Sequence, residues 1–564
     1  MKAGLIFILL WIIFVSLANP SWNNPFSIYD SWYYYSFAKN FPEHFVRFQD
    51  YYFVERIGVI LPKLLTQHLF SAEIEFYFKR IIITILSGSL FLFLLKKLFN
   101  LRTAFITTFI LINYGHFLHA MGHDYLDGIA FLYVSIIMIL LIKVSKNVNR
   151  YLVSFIGFIF VWLLSVNLFL IVFWPSILIM WFFISNKPVT KSLLVHISKW
   201  LLLGGLISYV SIHSILKFIG IETYFPLLQT GVTENLLTNT MRDWSRLLIS
   251  YWLLMPTVLA IISILLLKDT FSFRKSVRDK SFFKNLELKY KSAKFKKNYH
   301  GFLLTFLTTY GIYCIYQIFF EGKVLQLWYY VTLLLPWIFL AIGALLKNPL
   351  EKLSFQQYKL TLISLVFLAL ITHLYFTFGS YWNNQIYNAI RIFLLILASI
   401  SLGVFLIKKF QFKFFYLSLI TAFAFMLTAF VPYYPPLKNL QNPNQAQVYV
   451  LVDNAMNYIN NFQNYGTMKF WYNKNEPFPY ANTYQAITST YLWDRSLAGL
   501  EYPSGLKADI LGNNTVLFIL TSVPVLDSTA RIEIKQFGYD FETLDVKEFK
   551  EEFVNFYIIT GQLI

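Results

Sequence analysis

The chain has 564 residues, 57% of them hydrophobic and 20% aromatic, but only 13% charged, and its mean hydropathy is +0.56. A soluble domain is normally about a quarter charged, so the composition excludes an ordinary soluble protein and points to a polytopic membrane protein. The net charge of +18 is carried by short Lys/Arg-rich segments between apolar runs, with no recognisable nucleic-acid reading element, which excludes a DNA- or RNA-binding role. A single cysteine, Cys314, lies in an apolar run and excludes an intramolecular disulfide framework.

In chain order, residues 4–19 are apolar and run into Ser16-Leu17-Ala18-Asn19-Pro20. The short run and its small-residue end fit a cleaved signal peptide. A retained first helix is the stronger reading, because many more spans follow. A span needs about 20 mainly apolar residues, and that rule predicts helices near 3–19, 79–98, 102–118, 126–143, 151–166, 168–185, 194–216, 247–267, 301–320, 330–346, 360–378, 389–407 and 414–431. The total is about thirteen, with Asn167 and Pro175 interrupting the pattern over 151–185.

With the N-terminus inside, Lys96/Lys97/Arg102, Lys143/Lys146/Arg150, Lys187/Lys191/Lys199, Lys347/Lys352/Lys359 and Lys408/Lys409/Lys413 all fall in the cytoplasm. So does the basic loop 268–299, in which Lys268 to Lys297 carries eleven Lys/Arg against three acids. This is the positive-inside distribution. The transmembrane domain is expected over 1–431. Its first outer loop, 20–78, holds two interfacial stretches, Tyr29 to Phe37 and Tyr51 to Phe70, whose Trp and Tyr suit the headgroup level.

Pro432, Pro435 and Pro436 end the last apolar helix, and 432–564 reads as a small extracytoplasmic α/β domain. Its predicted elements are a helix over 448–462, a strand over 467–472, a helix over 483–497, a strand over 515–521, a helix over 528–537 and a strand over 553–560. It has no Gly-rich phosphate loop, and it contains one sequon, Asn513-Asn514-Thr515.

Charged groups at a bilayer edge are costly and mark candidate sites. Asp30, in Tyr29-Asp30-Ser31-Trp32-Tyr33-Tyr34-Tyr35, is a carboxylate among aromatic rings. Low local polarity raises its basicity, as a general base requires; the alternative is an N-cap for the short helix that follows. His116, His119, His123, Asp124 and Asp127 form a second constellation at the outer end of the third span and the start of the fourth. On one continuous helix the three histidines and Asp127 would share a face, and His119, His123 and Asp127 are plausible ligands of a divalent metal. The alternative is a helix-capping turn. Arg56, Lys323 and Arg242 are candidate phosphate holders, against local pairing of Arg56 with Glu55 or Asp50.

Three segments resemble the C-type integral membrane glycosyltransferases, chiefly protein O-mannosyltransferase-like and aminoarabinose-transferase-like enzymes. They are Tyr29-Asp30…Tyr33…Ala38 with Tyr52…Glu55-Arg56-x-Gly58…Leu61-Pro62, His123-Asp124-Tyr125-x-Asp127-Gly128, and Gln326-x-Trp328-Tyr329-Tyr330…Leu335-Pro336. Together they cover roughly residues 1–345. The resemblance implies transfer of a sugar from a polyprenyl-phosphate carrier outside the membrane, in a bacterial inner membrane. Asp30 would act as base, and Asp124 or Asp127 would position the acceptor or a metal. Arg56, Lys323 or Arg242 would hold the lipid phosphate, with Tyr33, Tyr34, Tyr125 and Tyr329 contacting substrate. Position 31 is Ser where the mannosyltransferases usually have an Asp-Glu pair, so the acceptor is not carried over, and whether it is lipid, glycan or protein stays open. The chain also lacks the Trp-Trp-Asp motif of oligosaccharyltransferases. A polymerase of lipid-linked glycans would share an outer site, whereas a flippase or transporter would show repeats and broken helices near mid-membrane.

Overall fold

Each of the thirteen apolar runs coincides with a helical region in the computed structural model. The described residues are 2–18, 30–44, 56–122, 126–185, 190–218, 251–268, 300–319, 324–378, 384–407, 411–428, 445–491, 502–506, 512 and 514–564. In chain order the helices are α1 (Lys2–Ala18), α2 (Asp30–Lys39), α3 (Ile57–Leu69), α4 (Ala72–Leu98), α5 (Leu101–Ile112), α6 (Gly115–Gly122), α7 (Leu126–Lys146) and α8 (Arg150–Leu164). They continue with α9 (Trp174–Ile184), α10 (Lys191–Phe218), α11 (Leu254–Lys268), α12 (His300–Phe319), α13 (Trp328–Thr332), α14 (Leu335–Glu351), α15 (Phe355–Phe378), α16 (Asn384–Ile407) and α17 (Phe412–Leu427). Then follow α18 (Gln445–Asn460), β1 (Thr467–Tyr472), α19 (Tyr480–Tyr491), β2 (Thr515–Thr521), α20 (Ser528–Gln536), β3 (Phe541–Glu551) and β4 (Val554–Leu563). The chain forms two compact units: Met1–Trp22, Asp50–Val59 and Ile81–Val431, and Asn23–Gln49, Ile60–Arg80 and Pro432–Ile564.

The first unit is helical throughout its described residues. Five of its helices are long and apolar enough to cross a membrane (α4, α7, α10, α12 and α15), and α5 with α6 makes a sixth if a 64° bend is counted within one span. The other expected spans fall on shorter apolar helical stretches among the described residues, several of them interrupted by polar residues. Asn113 ends α5, and its side chain turns into the core: Trp11 Nε1 donates to Asn113 Oδ1 at 2.9 Å, and His373 Nε2 lies 2.9 Å from the same oxygen. Asn167 opens a 3-10 turn over Leu168–Phe173 by accepting from the Phe169 amide, and α9 restarts with Pro175 in its first turn. The unit is closed at one end by polar contacts between helix junctions. Asn100 donates to Glu351 at 2.8 Å, and Arg102 donates to the Leu353 carbonyl at 2.9 Å while its guanidinium covers the Tyr358 ring.

The second unit has a four-stranded mixed sheet in the order β1-β2-β4-β3, with β1 and β2 parallel and the other pairs antiparallel. The two parallel strands are joined through α19, as a parallel pair requires a crossover. The central strand β2, Thr-Val-Leu-Phe-Ile-Leu-Thr, is buried along its whole length. β1 and β2 coincide with their predicted ranges, and α19 begins three residues earlier than predicted, its predicted end lying outside the described residues. β3 has no counterpart among the predicted elements. It is a polar edge strand, Phe-Glu-Thr-Leu-Asp-Val-Lys-Glu-Phe-Lys-Glu, mostly exposed and with a register shift between Thr543 and Asp545. Charges on an edge strand oppose unwanted strand pairing and erase the apolar alternation that marks a strand in sequence.

Candidate active site

In the first unit, the segments with motif character meet on α7. Asp127 is in its first turn and only 1% exposed. Thr332 Oγ1, at the end of α13, lies 2.5 Å from Asp127 Oδ2 and 2.6 Å from the Tyr329 carbonyl oxygen. A hydroxyl has one proton. If Asp127 is ionised, Thr332 donates to the carboxylate; if Asp127 is protonated, it donates to Thr332, which then donates to Tyr329. The geometry therefore accommodates both protonation states, as a group that gains or loses a proton requires.

Arg56, 7% exposed, immediately precedes α3. The Gly58 amide donates to the Ser165 carbonyl at 3.3 Å, and its own carbonyl accepts from the Tyr133 hydroxyl at 3.3 Å. A methyl at Gly58 would lie 2.8 Å from Ser165 Oγ, the Trp162 carbonyl and Val166 Cγ2, so only glycine fits this approach. Tyr133 is six residues beyond Asp127 on α7, about 9 Å along the axis. The Arg56-x-Gly58 turn is thereby fixed to the helix that carries Asp127.

The histidine constellation needs a correction. A continuous helix with His116, His119, His123 and Asp127 on one face is not formed, because Gly128 of α7 lies against Ala120 of α6, eight residues back in the chain. A methyl at Gly128 would sit 2.7 Å from the Ala120 carbonyl oxygen, so the two helices pack against each other at that point. His116 is buried beside Tyr114 and His119 is half-buried. Among the described residues no group of three or more His, Cys, Asp or Glu is arranged to hold a metal. His123, Asp124, Tyr125, Arg242 and Lys323 lie outside the described residues. Tyr329 is half-buried, beside Tyr330 at 4.9 Å between ring centres.

Asp30, Tyr33 and Tyr34 belong to the second unit. Asp30 is the first residue of α2. Tyr33 is half-buried. Trp32, Tyr34, Tyr35 and Phe37 are each 1% exposed or less, so these rings are covered by protein. Lys63 Nζ stands 5.5 Å from the centre of the Tyr34 ring, 3.4 Å from the Ser31 carbonyl, and is itself buried.

Several residues at these sites carried no signal that sequence reasoning used. Thr332 stands two residues past the Trp328-Tyr329-Tyr330 run, and a hydroxyl on an apolar segment is unremarkable until a carboxylate is seen opposite it. Lys63 follows Pro62 of the quoted motif, and Asp453 and Arg80 are far from any motif.

No protein-family model matches the chain, and no curated protein matches it. Among solved structures it is similar to ArnT from Cupriavidus metallidurans, crystallised bound to undecaprenyl phosphate. The sequence identity is 11% and the TM-score 0.47, with 98% of this chain and 97% of that chain covered.

Proposed function

We propose that this integral membrane protein is a glycosyltransferase that moves a sugar from a polyprenyl-phosphate carrier to an acceptor on the outer face of a bacterial inner membrane. The observation that carries the reading is the convergence on α7. A buried acid, Asp127, is held by Thr332, and the Arg56-x-Gly58 turn is bonded to the same helix through Tyr133. These residues belong to three separate stretches of chain, two bearing motif residues and the third closing on Thr332 just past its Trp-Tyr-Tyr run, and each resembles a C-type glycosyltransferase signature.

In this reading Asp30 accepts the proton of the acceptor hydroxyl as its oxygen attacks the anomeric carbon. The bond from that carbon to the phosphate oxygen breaks, and the electron pair leaves with the polyprenyl phosphate. Negative charge grows on the departing phosphate, which a desolvated cation such as Arg56 stabilises best; Lys323 and Arg242 are further candidates. Asp127, with Asp124, orients the acceptor or a divalent ion. The transmembrane domain ends near 431 and the domain 432–564 is extracytoplasmic. That topology is supported by two junctions expected on the same inner side, 99–102 and 351–354, which bond to one another. Residues expected outside also meet, with Trp252 donating to the Leu325 carbonyl at 3.0 Å and Thr332 meeting Asp127.

The test is transfer from a radiolabelled polyprenyl-phosphate sugar by the full chain in proteoliposomes. Asp30→Asn is expected to lower turnover by about 10² or more, the usual worth of a general base. Turnover that survives Asp30→Asn ends the assignment of that base. A transporter of lipid-linked sugars draws on one observation, the 64° break at Asn113 with the buried His373 beside it. It predicts movement of labelled lipid across the bilayer with no new glycosidic bond.

A further inference from the structure

The C-terminal segment does more in the second unit than form its sheet. Its helix α18 presents Tyr449 and Asp453, one turn apart, to the helix that opens with Asp30. Tyr35 donates its hydroxyl to Asp453 Oδ1 at 3.0 Å, and Lys39 Nζ, one turn further along α2, pairs with the same oxygen at 2.9 Å. The Trp32 ring lies 4.6 Å from that of Tyr449. Asn460, at the end of α18, donates to Asn40 Oδ1 just past the end of α2.

Beside Tyr449 stands Arg80, 2% exposed, with its guanidinium against the rings of Phe76 (3.8 Å) and Tyr449 (4.8 Å). It donates to the Phe76 carbonyl at 2.6 Å and to the Tyr449 hydroxyl at 2.7 Å. Gln67 on α3 donates to the Tyr35 carbonyl at 3.3 Å. Every turn of α2 is thus tied to another element by a directional contact. The contact at Asp453 uses two residues of α2 spaced four apart, so it sets the rotation of the helix about its axis as well as its place. Burial and the neighbouring carboxylate push the Tyr35 phenol well above its ordinary pKa, so it remains a donor throughout the working pH range.

We infer that Asp453 is a positioning residue for the transfer reaction: by holding Tyr35 and Lys39 it sets the orientation of α2 and so of Asp30 at its first turn. The inference rests on the assignment of Asp30 as the base. It assigns the C-terminal domain a part in turnover that its sheet, with no phosphate loop or acidic motif, does not suggest. A base displaced by about 1 Å loses up to about 10²-fold in rate while substrate binding elsewhere is unchanged.

The experiment measures kcat and KM for the labelled lipid donor with full-length variants in liposomes. Asp453→Asn is expected to lower kcat about tenfold with KM within twofold, and Lys39→Met to lower it less. The exchange Lys39→Asp with Asp453→Lys is expected to recover kcat to within about threefold of the parent. Tyr35→Phe removes one hydroxyl and keeps the ion pair; it serves if Asp453→Asn does not fold, and a fall in kcat of about threefold is expected. Parent-like kcat in Asp453→Asn, or in Tyr35→Phe where that variant stands in, overturns the inference, as does an exchange variant that folds but stays slow. If those variants are parent-like while Asp30→Asn is inactive, only the positioning role is lost; if Asp30→Asn is active, both readings fall.

Discussion

The two units bury polarity in different ways. In the membrane unit most buried polar side chains are hydroxyls, and many of these bond back to their own helix, as Ser135 does to Phe131, Ser263 to Leu259 and Thr305 to Gly301. Its buried charged residues among those described are Arg56, Asp127 and Arg391. The second unit buries Lys63, Glu75, Lys79 and Arg80 within a short stretch and engages them with one another, with rings and with carbonyls. Charges paired with one another or covered by rings and carbonyls are compensated where they stand, whereas a charge among apolar membrane helices is costly. A buried charge in the first unit is therefore a pointer to chemistry, and one in the second is a fastening.

That contrast can be broken by substitution, and the largest effect is expected in the first unit. Asp127→Asn should reduce sugar transfer by about 10² or more while the detergent-solubilised protein keeps its melting temperature. A large fall in melting temperature with little loss of specific turnover would make Asp127 a fastening like those of the second unit. Arg80→Ala should do the reverse. It removes the guanidinium's hydrogen bond to the Tyr449 hydroxyl and leaves a cavity beside the Phe76 and Tyr449 rings, at a cost of about 3 kcal/mol. Limited proteolysis and thermal melting would register that loss, and an unchanged melt would refute it.

Gly58→Val is expected to cost about 1–3 kcal/mol by overpacking against Trp162, Ser165 and Val166, and to weaken donor binding because Arg56 is carried on the same turn. A raised donor KM is the measurement, and parent-like stability and KM together would exclude it. The smallest effect concerns Glu476, whose carboxyl is pushed above its ordinary pKa by burial, partly offset by the hydroxyl that Tyr484 donates to it. A raised folded pKa means that the folded state binds the proton more tightly than the unfolded one. Stability from this group is therefore full below the unfolded pKa and is lost as pH rises through the folded pKa. Glu476→Gln should flatten the pH dependence of melting in that window by a small amount. An identical slope in the variant would assign it to other carboxyls.

How much of this was legible in the chain depends on the range of the interaction concerned. Apolar runs, basic loops and the Pro-rich end of the last helix are local, and the corresponding helices fall close to where they are expected. β1 and β2 were legible because both are strongly apolar; β3 was not, because an exposed edge strand has no apolar face to display. The candidate acids were legible as charges in apolar surroundings; Asp30 opens α2, and Asp127 at the head of α7 is buried. The helix expected to join His116 to Asp127 failed at a different point. Whether a polar stretch continues a helix or folds it back depends on a packing partner, here the Ala120 carbonyl against Gly128.

The sequence by itself determined that this is a membrane protein with a mixed α/β tail, and which charges stand out against its apolar background. Hydropathy and charge act through solvation of the residue itself and need no partner. Only the tertiary structure decided that Thr332 meets Asp127 across 205 residues and that Asp453 meets Tyr35 across 418. Hydrogen bonds and ion pairs gain their strength from geometry at about 3 Å, and that geometry belongs to the folded chain rather than to any segment of it.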